Sequence, residues 1–264
     1  MQPTKISIFS RPRLRGLIAA HRDNLLLHAA ATVAAKYLRA YSNEANWSFE
    51  YNGEQHALRV MLEAHAGCLL DVGANVGEWA LMAHTLDPAR PIHAFEISPT
   101  TFQSLSDKLA GIPNCVLNNL GLSDSERELD LHYYPDSPDR SSLLKQSDGF
   151  RKDTERVRVI TGDAYIRSHG IDGIAFLKID VEGHEMAVLE GFRDSIDSGQ
   201  ISAIQFEHGP AHVLSRHFLG DFVEFLSQRR YELFRIFPGN LEPLLYDYAT
   251  SETCGPGNYL AVRA

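Results

Sequence analysis

Cysteine is scarce: Cys68, Cys115 and Cys254 are the three in 264 residues, an odd number at scattered positions. That excludes a disulfide framework, and with Cys68 and Cys115 in apolar strand contexts it points to a reduced, cytoplasmic setting. Cys/His pairs of zinc type are missing as well, and His212 and His217 do not have metal spacing. No apolar run approaches the ~20 residues that a membrane span requires. Arg11, Arg13 and Arg15 precede Leu17-Ile18-Ala19-Ala20, but His21, Arg22 and Asp23 interrupt the stretch, which argues against a secretory h-region. Basic charge is outnumbered: 25 Lys and Arg face 34 Asp and Glu, a formal −9, which argues against a general nucleic-acid binder. Internal repeats and low-complexity tracts are lacking. An apolar share of 44% in a chain of this length suffices for a sizeable core, in one large domain or a domain with an appendage.

One further absence is informative. The dinucleotide signature Gly-x-Gly-x-x-Gly does not occur; its place is taken by Asp71-Val72-Gly73-Ala74-Asn75-Val76-Gly77. The stretch reads as an apolar strand, a tight glycine turn and a helix opening at about Val76, with Glu96 closing the next strand 25 positions after Asp71. A helix N-terminus offers N–H groups and positive dipole to an anion, and an acid after the second strand can bond a ribose diol. Asn75 hinders the close backbone approach a pyrophosphate needs, so a smaller nucleoside ligand is the better fit.

Helical periodicity over Leu14–Tyr41 predicts an N-terminal helical extension, residues 1–52, after a frayed start at 1–10. From residue 53 to 264 the elements alternate. Strands are expected at Cys68–Val72, Ile92–Glu96, Cys115–Asn118, Ala175–Asp180, Ala203–Glu207, Tyr231–Phe237 and Asn258–Arg263. Helices are expected at Glu54–Ala64, Val76–Thr85, after the Ser98-Pro99 cap, at His184–Phe192 and at Gly220–Gln228. Such alternation implies an α/β fold, a mainly parallel sheet with helices on both faces. Leu129, Leu131 and Tyr133 alternate, and with Val157–Ile160 they suggest a two-stranded insertion within about 125–163. The loop Pro135–Ser142 is placed to cover the carboxyl edge.

Asp71 to Gly77 and Glu96 resemble the first two motifs of class I S-adenosylmethionine-dependent methyltransferases. Three further segments are similar to the FkbM family: Leu120-Gly121-Leu122-Ser123-Asp124, Ser141-Ser142-Leu143, and Leu177-Lys178-Ile179-Asp180-Val181-Glu182-Gly183-His184-Glu185 followed by Leu189-Glu190-Gly191. The resemblance covers roughly Gly53 to Glu207. It implies a Rossmann-like sheet of order 3-2-1-4-5-7-6 with the last strand antiparallel, and O-methylation of a small molecule, most often a sugar, glycoside or polyketide-type product.

On this reading Asp71, Gly73, Asn75, Gly77, Glu96, Asn119 and Asp180 bind S-adenosyl-L-methionine. Asp180, His184 and Glu207 are the catalytic candidates, and Ser141, Ser142, Glu182 and His208 face the acceptor, with Glu207 and His208 both directed into the crevice. His184 takes the hydroxyl proton. A divalent metal at Asp180 and Glu207 is weighed and not favoured, because no third oxygen ligand is evident beside Glu207. The extension is a candidate for homo-oligomer formation. Two alternatives stand beside the enzyme: a non-catalytic nucleotide-binding module in a biosynthetic assembly, which would consume no cofactor, and a dehydrogenase, which Asn75 and Lys178–Gly183 disfavour.

Overall fold

The helix expected over Leu14–Tyr41 is two helices, α1 (Pro12–Ala20) and α2 (Leu25–Tyr41). Asn24 causes the break: its side chain accepts the N–H groups of Leu26 at 3.0 Å and Leu27 at 3.3 Å, so a new helix starts after the polar His21-Arg22-Asp23. Neither helix contains a buried residue. The computed structural model describes residues 12–145 and 151–264; the expected frayed start and residues 146–150 of the expected insertion lie outside the described residues. Contacts divide the chain into a unit ending at Glu44 and a unit running from Ala45 to Ala264.

The second unit begins with α3 (Glu54–Ala64), β1 (Cys68–Val72), α4 (Glu78–Leu86), β2 (Ile92–Phe95), α5 (Pro99–Leu109) and β3 (Cys115–Asn118). There follow β4 (Gly121–Leu122), β5 (Arg127–Tyr133), β6 (Asp153–Ile160), α6 (Gly162–His169) and β7 (Ile174–Ile179). The last part comprises α7 (Glu185–Gly191), α8 (Arg193–Ser198), β8 (Ala203–His208), α9 (His212–Ser215), α10 (Leu219–Ser227), β9 (Tyr231–Phe237), β10 (Asn240–Pro243), α11 (Tyr248–Ser251) and β11 (Gly257–Arg263).

Eight strands form one sheet in the order β10-β9-β11-β8-β7-β1-β2-β3. The neighbours from β8 to β3 pair in parallel, and β11 lies antiparallel between β8 and β9. With β7, β8, β9 and β11 as fourth to seventh strands, this is the expected 3-2-1-4-5-7-6 order with its reversed last strand. What the sequence reading lacked is β10, which pairs with β9 across a tight turn at Gly239, φ +68°. The insertion differs as well. It is a three-stranded sheet, β4-β6-β5, because β4 adds to β6 where only a turn was expected.

Alternation within the buried strands sends side chains into two cores. Leu69 and Phe176 pack with Leu58, Trp79 and Leu105 of α3, α4 and α5. Leu70, Leu177 and Phe206 pack on the other face with Val188, Phe192, Ile196 and Phe222 of α7, α8, α10 and the α7–α8 junction. Helices therefore cover both faces. The carboxyl ends of β1, β2, β7 and β8 are left to the loops, and most of the expected site residues lie in loops.

Candidate active site

Asn75 takes φ +48° in the loop after β1, between Gly73 at +84° and Gly77 at +86°, and Gly77 caps a helix that opens at Glu78. Glycine is required at 73, since a Cβ there would lie 1.8 Å from the carbonyl oxygen of Asp180. The loop thus presses against the end of β7 and turns the N–H of Asn75 toward β2. That N–H donates to Glu96 Oε2 at 3.0 Å, and the N–H of Ser98 donates to Glu96 Oε1 at 2.8 Å. Burial pushes the Glu96 carboxyl up to about 7, against the lowering effect of these two bonds. Each oxygen has one N–H and capacity for another donor, which suits a vicinal diol. Asn75 Oδ1 is buried and makes no hydrogen bond among the described residues, an acceptor that a ligand can satisfy.

Two of the expected cofactor residues are differently employed. Asp71 does not face the crevice: it is fully buried in the central strand, with Lys178 Nζ 3.6 Å from its Oδ1. Asn119 stands at the expected turn, but its amide nitrogen donates to the carbonyls of Glu96 at 2.9 Å and Ile97 at 3.3 Å. It shapes the loop after β2, and the wall beside it is apolar, with Ile97 and Leu120 lining the pocket.

The pocket brings Gly73 and Asn75 together with Asp180, Glu182 and His184 and with Ser141 and Ser142. Beneath it Lys178 is buried, its Nζ 3.2 Å from Asp180 Oδ2. Burial works against the ammonium, but the carboxylates of Asp180, Asp71 and Glu54 outweigh it and hold Lys178 protonated. Glu182 adopts φ +55° and Gly183 +97°, a reversal that folds Glu182 back over the strand ends. Asp180, Glu182 and Glu207 consequently each present a carboxylate oxygen, all within 4.8 Å of one another. Burial, then the neighbouring Asp180 and Glu182, push the Glu207 carboxyl well above its ordinary value. The expectation of no metal rested on the want of a third oxygen ligand; Glu182 supplies a third carboxylate that spacing alone did not place.

His184 precedes α7, and its Nε2 lies 2.9 Å from Ser123 Oγ. Burial lowers its pKa, opposed by Glu185, so the ring is neutral at neutral pH. His208 is a correction. It was expected beside Glu207 in the crevice, but β8 runs through His208, so the two adjacent side chains point to opposite faces. His208 is buried, stacked on His212 with ring centroids 4.4 Å apart, and burial pushes it down to about 4. Glu185 accepts the N–H of Val181 at 2.9 Å and pairs with His212 Nε2 at 2.9 Å, holding the α7 and α9 ends together. Ser141 and Ser142 line the pocket, yet their hydroxyls are engaged with the protein backbone. Ser141 Oγ accepts from the N–H of Tyr134 at 3.2 Å, and the buried Ser142 Oγ donates to the carbonyl of Glu182 at 2.8 Å and accepts from the N–H of Leu144 at 3.0 Å.

A mainly parallel sheet of this order with its seventh strand reversed, a left-handed asparagine loop after β1 and a carboxylate at the end of β2 define a class I S-adenosylmethionine-dependent methyltransferase. The sequence signature of the methyltransferase FkbM domain matches residues 71–233. The chain belongs to the FkbM methyltransferase family. It is 27% identical over 203 residues to the hexuronic acid methyltransferase AglP of Haloferax volcanii, covering 75% of this chain and 82% of that protein. It is 29% identical over 209 residues to the 31-O-demethyl-FK506 methyltransferase FkbM of Streptomyces tacrolimicus, covering 66% and 76%. The crystal structure of a methyltransferase FkbM from Methylobacillus flagellatus shares the fold, with a TM-score of 0.50 and 14% identity over 74% of this chain. The match spans 43% of that longer protein. Among the described residues no helix is long and apolar enough to cross a membrane.

Proposed function

We propose that this chain transfers a methyl group from S-adenosylmethionine to a hydroxyl oxygen of a small molecule of sugar, glycoside or polyketide type. The supporting observation is the meeting in one pocket of the Gly73–Asn75 loop with Asp180, Glu182 and His184. Two relatives are named as a hexuronic acid methyltransferase and a 31-O-demethyl-FK506 methyltransferase, which favours an oxygen acceptor on a small molecule.

The residues present fit the cofactor. The unsatisfied Asn75 Oδ1, the cramped Gly73 and the oriented Glu96 carboxylate form a cradle for a nucleoside with a charged tail. Bound there, S-adenosylmethionine supplies an electrophilic methyl group on sulfonium. The work left to the protein is alignment, exclusion of water and removal of one proton. Glu96 takes the ribose hydroxyls, and Ile97 and Leu120 wall the base. The loop carrying Ser141 and Ser142 closes the pocket over the acceptor. Neutral His184 takes the hydroxyl proton, and the Asp180 carboxylate that lines the same pocket offsets the charge of the imidazolium that results.

A second reading is favoured by the three carboxyls within 4.8 Å of one another, a donor set that a divalent cation of magnesium type accepts. Turnover in excess EDTA separates the two: full retention supports His184 acting alone, whereas loss restored by magnesium or manganese supports the cation. His184→Ala is expected to cost on the order of 10²–10⁴ in rate with cofactor affinity little changed. Mass spectrometry of products formed from methyl-labelled cofactor and hexuronic-acid glycosides identifies the acceptor. Labelled cofactor left unconsumed with every acceptor class would overturn the enzymatic reading.

A further inference from the structure

Two sequence motifs, Ser123-Asp124 and Leu189-Glu190-Gly191, have no task in the reaction described above, and the fold joins them at His184. Ser123 is fully buried. Its N–H donates to the carbonyl of Ile160 at 2.9 Å, and its own carbonyl oxygen lies where a Cβ on Gly191 would stand 2.0 Å away. His184 precedes α7 and Gly191 ends it, so Ser123 is held against both ends of the helix. Only glycine at 191 admits that approach.

The hydroxyl of Ser123 has three neighbours. Asp124 Oδ1 lies 2.9 Å away, Arg127 Nη2 3.3 Å and His184 Nε2 2.9 Å. A hydroxyl has one hydrogen and two lone pairs. Asp124 can only accept, and it is paired with Arg127 Nη1 at 2.8 Å. Against the effect of burial, the bonds from Ser123 and Arg127 hold its carboxyl below the ordinary value. The single hydroxyl hydrogen therefore goes to Asp124. Arg127 can only donate and takes one lone pair, and the other faces His184, so Nε2 must bring the hydrogen. Among the described residues His184 Nδ1 makes no hydrogen bond. A Ser-Asp turn ordinarily bonds its own backbone; neither side chain does so here.

We propose that Ser123, backed by Asp124 and Arg127, is a positioning residue that fixes neutral His184 in the tautomer protonated at Nε2 and leaves the lone pair on Nδ1. The tautomer stands on the hydrogen count alone; its catalytic consequence rests on the reading of His184 as the base. Once Nδ1 takes a proton, the imidazolium keeps its Nε2–H bond to Ser123, and the Asp124 carboxylate behind it offsets the new charge. The Ser-Asp turn is thereby given the work of orienting the base.

Long-range proton–nitrogen correlation spectra of the whole protein labelled at histidine nitrogens test this, with the His184 signals assigned by their loss in His184→Gln. Wild type is expected to show a protonated Nε2 and an unprotonated Nδ1. Ser123→Ala should give exchange-averaged signals, Ser123→Thr should retain the wild-type pattern, and the exposed Asp124→Asn should weaken it if Ser123→Ala fails to fold. With cofactor, kcat of Ser123→Ala should fall about 10-fold to 100-fold at an unchanged KM for S-adenosylmethionine. A wild-type ring protonated at Nδ1, or a tautomer unmoved in both Ser123→Ala and Asp124→Asn, overturns the proposal. An altered tautomer with undiminished kcat upholds the positioning and removes His184 from the mechanism, so the two readings fail separately.

Discussion

The hydroxyl of Ser142 donates to the carbonyl oxygen of Glu182 at 2.8 Å, tying the loop above the pocket to the reversal beneath it. Ser142 also exchanges backbone hydrogen bonds with His132, at 3.0 and 3.2 Å, so the loop hangs from β5 at one point and from Glu182 at another. Removing the hydroxyl leaves the Glu182 carbonyl without this donor. Ser142→Ala should lower stability by about 0.5–1.5 kcal/mol and raise the rate of limited proteolysis at 135–145. Cofactor product should protect the wild-type loop. Cleavage equally fast in Ser142→Ala and wild type, with or without that product, would show that the bond does not hold the loop.

If Glu96 holds the ribose as proposed, cofactor binding should depend on pH. Burial sets its carboxyl at about 7 against an ordinary 4.5. Between those values the folded chain keeps a proton that the unfolded chain has lost, so this group's contribution to stability falls as pH rises through the window. Binding runs the other way. Ribose hydroxyls donate to the ionised carboxylate, so affinity should rise with pH up to about 7 and binding below that pH should release a proton. Calorimetry in buffers of different ionisation enthalpy measures the release. Glu96→Gln should abolish it and weaken binding by about 1.5–3 kcal/mol. Unchanged affinity in the variant would remove Glu96 from the ribose site.

Lys178 is the ammonium set among Asp71, Asp180 and Glu54. Lys178→Met keeps much of the apolar stem but strands these carboxyls. Loss of one member of a buried ion pair typically costs about 3–5 kcal/mol. Urea unfolding should show a loss of that order, and the double variant Lys178→Met, Asp71→Leu should recover part of it. A single variant as stable as wild type would mean that the carboxyls take up protons without strain.

His208, stacked on His212 inside the α9–α10 packing, should matter for folding and little for turnover. His208→Leu is expected to change the melting temperature while leaving both KM values near wild type. A large rise in the acceptor KM alone would return His208 to the crevice.

The order of the main sheet was legible because each strand is a short apolar run bounded by turn residues, as at Cys68–Val72 and Ile92–Phe95. Helix α6 had signals too, a Thr161 side chain accepting the N–H of Ala164 and a left-handed Gly170 at its end, and these went unread. The site was legible where one motif makes one loop, as at Gly73–Gly77. Elsewhere the direction of a side chain depended on facts that spacing does not carry. Whether β8 ends at 207 or 208 decides if His208 shares a face with Glu207. The left-handed turn at Glu182 is a backbone state unusual for glutamate, and it alone makes that residue a neighbour of Asp180 and Glu207. The Ser123–His184 contact joins segments 61 residues apart. The packing of Gly191 on Ser123 and the bond from Ser123 to Ile160 bring them together.

The place of β11 between β8 and β9 sets an order on strand pairing during synthesis. As the chain leaves the ribosome, β1, β2, β3, β7 and β8 can assemble in sequence, but β9 and its hairpin partner β10 have no strand to join until residues 257–263 emerge. Until then β8 is an open edge, and the buried faces of Phe206 and Leu233 lack the cover that Tyr259 and Ala261 later bring. A nascent chain paused there is exposed to edge pairing with its neighbours. The Gly73–Gly77 loop can thus be built well before the sheet beside Glu207 is complete.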